Sequence, residues 1–224
     1  MNLAALSLAA AVAALPCVSQ AARVTVLHTN DTHAHIDDGS VAFSAIASEK
    51  ARLAASGENV ILADAGDYVQ GTALGGFDEG RSVIDIMNAA GYDVATLGNH
   101  EFDYGMDAMF RNVARAKFRT VCCNFVRRPS ADAPGERVFP AYTVVTSGAV
   151  RVAFVGVTTP TTLVSAKPST FLDKSGGWRE YDFLAGNRGD ALYAAVQSAV
   201  NEAAALADYT VVLGHMGVSP DCAG

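Results

Sequence analysis

The sequence has little charge, and positive charge is the scarcer sign. Only 17% of the 224 residues are charged and 50% are hydrophobic, whereas an average globular chain has about 25% charged residues. This composition excludes an intrinsically disordered protein, which combines low hydrophobicity with high net charge. The length allows one large domain or two small ones.

The acidic balance also limits the partners. There are 16 Lys and Arg residues against 23 Asp and Glu residues, which gives a net charge of −7. Binding of a nucleic-acid polymer depends on Lys and Arg side chains that neutralise phosphates, so such a partner is not expected. A small phosphorylated substrate stays possible if a bound cation supplies the positive charge.

No hydrophobic run is long enough for a stable membrane span. The apolar run Leu3–Leu15 is shorter than the ~20 residues that a transmembrane helix needs. Followed by the small-residue pattern Ser19-Gln20-Ala21, it predicts a signal peptide over residues 1–21 and an exported protein, secreted, periplasmic or at the cell surface. The alternatives are a lipoprotein cysteine at Cys17 and a buried Ala-rich helix.

Cysteine is too scarce to define a disulfide framework. Removal of the signal peptide would leave Cys122, Cys123 and Cys222, and an odd number suggests a free thiol or a missing partner. Cys122 and Cys123 are neighbours in an extended run, where side chains point to opposite faces. We expect both to be buried, inert thiols.

Short β-rich runs alternate with helical patterns, which is typical of a layered α/β fold. Ser147-Gly148 predicts a hairpin turn. The predicted strands are Val24–His28, Asn59–Ala63, Asp93–Leu97, Arg119–Cys123, Ala141–Thr146, Val150–Val157 and Tyr209–Leu213. The predicted helices are Val41–Ser56, Arg81–Ala90, Met106–Lys117 and Asp190–Ala207.

Four of these strands are followed at once by segments rich in Asp, His and Asn. The carboxyl ends of strands in an open α/β sheet border one crevice, so these segments should meet there. Carboxylate and imidazole ligands together suit Zn, Mn or Fe, and the absence of thiols argues against a structural zinc site. The segments are HTNDTHAH, DAGDYVQGT, TLGNHEFDYG and VVLGHMG.

In this order, the four motifs resemble those of the calcineurin-like metallophosphoesterases, and more narrowly the secreted 5′-nucleotidase/UDP-sugar hydrolase branch. The resemblance runs from about Arg23 to the C-terminus. It implies a layered α/β fold with two β-sheets sandwiched between helices. It also implies two divalent metal ions (Zn, Mn or similar) and hydrolysis of nucleotide phosphate esters by a metal-activated hydroxide.

The resemblance also implies individual roles, position by position. Asp31 and His33 match the ligands of one metal, and Asp67 matches the carboxylate that bridges both. The ligands of the second metal match Asn99 and His215. The catalytic histidine and the acid that orients it match His100 and Asp103, and a looser match near the substrate is Asn124.

Other polar residues in the motifs have ordinary structural interpretations. His28 lies inside a strand run and is expected to pack, and Glu101 is assigned no chemistry. His35 is either an outer neighbour of the metals or a solvent-facing loop residue. Asp64 is interpreted as a turn cap, and residues 70–72 either line the pocket or form a turn.

The sequence departs from the family pattern near its end. The Gly-His-x-His motif that completes both metal sites is absent, as is the C-terminal nucleotide-binding domain. We therefore expect a fragment in which the domain over residues 23–224 lacks its last strand or strands. Alternative functions are a 2′,3′-cyclic-nucleotide phosphodiesterase/3′-nucleotidase, a UDP-sugar hydrolase, and a catalytically incomplete fragment that only binds metal. The oligomeric state stays open.

Overall fold

The computed structural model describes residues 23–36, 43–129 and 135–217. The predicted signal peptide and Cys222 lie outside these residues. Within them, none of the helices has the length and apolar character that crossing a bilayer requires.

Short strands and helices alternate along the described chain. The strands are β1 (Val24–Thr29), β2 (Asn59–Asp64), β3 (Val94–Ala95), β4 (Arg119–Thr120), β5 (Phe125–Arg127), β6 (Tyr142–Ser147), β7 (Val150–Thr158), β8 (Tyr181–Phe183) and β9 (Tyr209–His215). The α-helices are α1 (Phe43–Ala55), α2 (Ala73–Phe77), α3 (Arg81–Ala90), α4 (Met106–Arg115), α5 (Thr162–Ser165) and α6 (Asp190–Ala204).

Two main sheets form the centre of the fold. The first has the order β1-β2-β3-β4, and all its strands are parallel. The second has the order β6-β7-β9, with β6 antiparallel and β9 parallel to β7. A small antiparallel pair, β5 and β8, lies apart from both.

The cores show a layered arrangement. Apolar side chains of β2, β7 and β9 pack together, among them Ile61, Phe154 and Leu213. On the other face of the first sheet, α1 and α3 bury a second core, and α6 packs on the second sheet. Helices therefore cover the outer faces of two stacked sheets, which confirms the predicted fold class.

Elements with strong local sequence signals were predicted well, and elements with weak signals were not. Helix α3 has the predicted bounds, and Ser147-Gly148 joins β6 to β7 as the predicted hairpin. The strands predicted over 93–97 and 119–123 are reduced to two residues each. Strands β5 and β8 were missed because each has three residues and their pairing joins distant parts of the chain.

The two described cysteines are free and buried, as expected for inert thiols. Burial raises the pKa of the Cys123 thiol to about 12, and it also raises the pKa of Cys122. Neither thiol is therefore ionised at neutral pH, and thiolate chemistry is not expected at these positions.

Gly156 in β7 provides a test of how closely the sheets approach each other. A Cβ there would overlap the carbonyl of Val121 and lie 2.7 Å from Oγ1 of Thr96. Gly156→Ala should lower the free energy of unfolding by about 1–3 kcal/mol, because these atoms belong to packed backbone and core.

The matched control is Gly214→Ala in the adjacent strand β9, where the nearest atom to a new Cβ is 3.7 Å away. Its effect on urea unfolding should be below about 1 kcal/mol. Equal destabilisation by the two substitutions would contradict the close approach at Gly156.

Candidate metal and catalytic site

Three loops and the end of strand β9 form the candidate site. The first loop (30–35) follows β1, the second (65–72) follows β2, the third (96–103) follows β3, and His215 lies at the end of β9. Because β1, β2 and β3 are parallel, their carboxyl ends lie at the same edge. The fold therefore brings together residues that are far apart in the sequence.

The first two loops are joined through their backbones. The N–H groups of Asp31, His33 and Ala34 donate to the carbonyls of residues 66, 67 and 68 at 2.9, 2.9 and 3.0 Å. The Thr72 hydroxyl donates to the Ala34 carbonyl at 2.8 Å. Residues 70–72 thus take part in holding the two loops together.

Several residues of these loops have a left-handed backbone. The φ angles of Asp31, His33, Ala34 and Asp67 are 52°, 47°, 55° and 61°. This region costs a non-glycine residue about 1–3 kcal/mol, and such strain persists only where the surroundings impose it. The concentration of strain beside the Asp and His side chains is typical of a functional site.

The ligand atoms converge on Asp67. Its Oδ2 lies 3.8 Å from Nε2 of His33 and 3.2 Å from Nε2 of His215. His33 Nε2 is also 3.6 Å from Oδ1 of Asp31, and His215 Nε2 is 3.3 Å from Oδ1 of Asn99. Asp31, Asp67 and His215 offer ligand atoms that all lie within 4.8 Å of one another.

Backbone carbonyls orient both imidazoles. Nδ1 of His33 donates to the carbonyl of Gln70 at 3.1 Å, and Nδ1 of His215 donates to the carbonyl of Ala65 at 3.0 Å. A carbonyl oxygen only accepts, so the proton lies on Nδ1 and Nε2 faces the cluster. Metal-binding histidines commonly show this pattern of outer hydrogen bonds.

Charge in the site is balanced around Asp67, whose side chain is only 4% exposed. Burial disfavours its ionised form, but hydrogen bonds from His215 and from the backbone N–H of His100 outweigh burial, so its pKa is lowered. For His215, burial would lower the pKa. The hydrogen bond to Asp67 and the negative charge of Asp67 outweigh burial and raise the pKa of His215 to about 9.

A hydrogen-bonded histidine–aspartate pair, His100 and Asp103, lies beside the cluster of candidate ligands. Nδ1 of His100 is 2.6 Å from Oδ2 of Asp103, and the His100 ring lies 5.2 Å from the ring of His33. Burial alone would lower the pKa of His100. The hydrogen bond to Asp103 and the negative charge nearby have the opposite, larger effect, so the pKa is raised overall. The other oxygen of Asp103 accepts the backbone N–H of Lys167 at 3.2 Å, which fixes the carboxylate.

Glu101 has a larger part in the site than the sequence suggested. Its carboxylate is buried and accepts the backbone N–H groups of Asp67, Tyr68, Val69 and Gly98. Burial and the charge of Asp67 raise its pKa above the usual range. Its place in the motif GNHEFD, among the candidate site residues Asn99, His100 and Asp103, was the sequence signal that could have identified it.

Other residues lie elsewhere than expected. His28 has an exposed side chain on β1, so the prediction that it packs in the interior was wrong, because this position faces solvent. Asn124 is fully buried, and its amide donates to the Thr158 carbonyl at 2.7 Å and accepts the Thr158 N–H at 3.0 Å. Both polar groups of this amide are engaged by the Thr158 backbone inside the core, which argues against a substrate contact.

Two motif residues have local roles in the loops. Asp64 is buried, and its Oδ1 accepts the N–H of Gly66 at 2.7 Å, as in a turn cap. His35 is half-buried, and its backbone N–H donates to the Thr32 carbonyl at 2.8 Å.

Comparison with known proteins adds independent observations. A snake venom 5′-nucleotidase from Gloydius brevicauda is 32% identical over 174 residues, which cover 72% of this chain and 30% of that protein. The crystal structure of a 5′-nucleotidase precursor from Thermus thermophilus is 30% identical, with a TM-score of 0.68. It matches 88% of this chain, over 38% of its own length.

A further structure, the sulfate thiohydrolase SoxB from Thermus thermophilus, is 26% identical, with a TM-score of 0.64. It matches 78% of this chain, over 29% of the SoxB chain. The chain thus spans about a third of the length of these relatives. The family model of the calcineurin-like phosphoesterases matches residues 24–223. The chain therefore belongs to the calcineurin-like phosphoesterase family.

Proposed function

We propose that the chain is the metal-binding part of an exported phosphoesterase that hydrolyses nucleoside 5′-monophosphates. The observation that carries the proposal is the convergence of two imidazoles, one further carboxylate and one amide around the buried carboxylate of Asp67. Export rests on the signal-like pattern of residues 1–21. The nucleotide substrate rests on the likeness to 5′-nucleotidases.

The donor set fits two divalent cations. Ligand atoms about 2.0–2.2 Å from a tetrahedral ion lie about 3.4 Å apart, close to the separations of 3.2–3.8 Å around Asp67. Asp31, His33 and Asp67 would hold one ion, and Asp67, Asn99 and His215 the other. Oxygen and imidazole donors favour Zn, Mn or Fe.

When bound, the two ions would supply Lewis-acid activation of water and neutralise charge on the phosphoryl group. The protein's own contribution comes from His100 and Asp103. With Nδ1 engaged by Asp103, Nε2 of His100 is the nitrogen left to donate to a phosphoryl or leaving-group oxygen. The raised pKa of His100 favours the protonated ring that this role requires.

Hydrolysis of AMP tests the proposed function directly. The purified chain loaded with Mn²⁺ should release phosphate from AMP, and excess chelator should abolish release because the carboxylates and imidazoles alone cannot activate water. Phosphate assay and chromatography of the products would follow AMP, 2′,3′-cyclic AMP and UDP-glucose in parallel.

Each result has a distinct meaning. Turnover of the cyclic nucleotide or UDP-glucose without turnover of AMP would replace the proposed substrate by one of the alternatives. A folded chain that binds Mn²⁺ but turns over none of the three would identify a fragment that only binds metal.

Replacement of His100 separates catalysis from metal binding. His100→Asn should lower kcat for AMP by about 10²–10⁴-fold, because a proton donor is lost. Mn²⁺ affinity, measured by calorimetry, should stay unchanged. The control is His28→Asn, the same substitution at an exposed position on β1, and it should leave both quantities as in the parent. Unchanged kcat in His100→Asn would rule out the assigned role.

A further inference from the structure

The Glu101 carboxylate is buried between the second and third loops. Its Oε2 accepts the N–H groups of Asp67 at 2.8 Å and Gly98 at 2.6 Å. Its Oε1 accepts those of Tyr68 at 2.8 Å and Val69 at 3.3 Å. A carboxylate offers about four lone-pair positions, so these four donors use its full capacity.

These hydrogen bonds act on the segment that carries Asp67. Three successive N–H groups, those of residues 67–69, point to one carboxylate, and this requires the backbone to turn sharply there. Asp67 has a φ of 61°, a conformation that its neighbours must impose. The bonds from Glu101 supply that constraint.

The same carboxylate joins this segment to the third loop. The two loops touch at Gly98, where a Cβ would overlap the Asp67 carboxylate. One residue beyond Asn99, the N–H of His100 donates to Oδ1 of Asp67 at 2.7 Å. With Oδ1 held in this way, Oδ2 is directed at His33 and His215.

We propose that Glu101 is a positioning residue, which contacts neither metal nor substrate and places the Asp67 carboxylate between the two sets of ligands. The role rests on the proposed function, since it concerns the metal sites named there. A positioning role differs from simple stabilisation of the fold, because metal affinity then depends on Glu101 even in a variant that still folds.

Glu101→Gln is the informative substitution. The amide keeps the shape of the carboxylate, but its NH₂ group donates and would face backbone N–H groups that also donate. We expect Mn²⁺ affinity, measured by calorimetry on the folded chain, to fall about 10–100-fold, the usual cost of losing an outer-shell partner. Circular dichroism would establish that the variant is folded.

Gly148→Ala is the matched control for loss of stability alone. Gly148 has a φ of 59° in the turn between β6 and β7, at the end of the sheets opposite the candidate site, and a Cβ there would overlap the Asn59 side chain. It should bind Mn²⁺ as the parent does, even if its melting temperature falls as far as that of Glu101→Gln. Parent-like affinity in Glu101→Gln, or an equal loss in both variants, would overturn the positioning role. A parent chain that binds no Mn²⁺ would instead contradict the proposed function.

A measurement on the unaltered chain keeps the idea testable if Glu101→Gln does not fold. Residue-resolved amide hydrogen exchange on the metal-free chain should show the N–H groups of residues 67–69 and 98 protected as strongly as those of β2. Fast exchange at these four positions would mean that Glu101 does not hold the loops in the absence of metal, and would refute the proposal.

Discussion

The carboxylate of Asp67 occupies the position on which the rest of the site depends. It is the group that both imidazoles approach, and its backbone is the point at which the second loop meets its neighbours. The first loop bonds to residues 66–68, and Glu101 bonds to residues 67–69. A displacement of Asp67 would therefore disturb both sets of ligands at once.

Repulsion between neighbouring carboxylates explains why this arrangement requires positive charge. Two aspartates and a buried glutamate lie close together in a chain that is already acidic. Adjacent carboxylates disfavour one another's ionisation unless positive charge lies between them. His215 supplies part of that charge, and its attraction to Asp67 raises its pKa to about 9. Divalent ions would take over this role when they displace the proton.

The sequence predicted the layered fold and the residues that meet at the site, because both leave local signals. Helix α3 is amphipathic and is followed by Gly91. Asp31 and Asp67 stand within three residues after strands, and His215 is the last residue of β9. Other features depend on contacts between distant residues. The four hydrogen bonds to Glu101 and the carbonyls that orient the histidines involve backbone atoms, which residue types do not reveal. His28 was misjudged because a strand position does not specify which face is covered.

In the proposed site, one carboxylate, that of Asp67, is shared by two metal ions. Electron paramagnetic resonance of the Mn²⁺-loaded chain, combined with elemental analysis, tests it most directly. We expect two Mn²⁺ ions per chain and a spectrum of magnetically coupled ions, because a shared carboxylate would hold them close together. One Mn²⁺ ion per chain, with the six-line spectrum of an isolated ion, would contradict it.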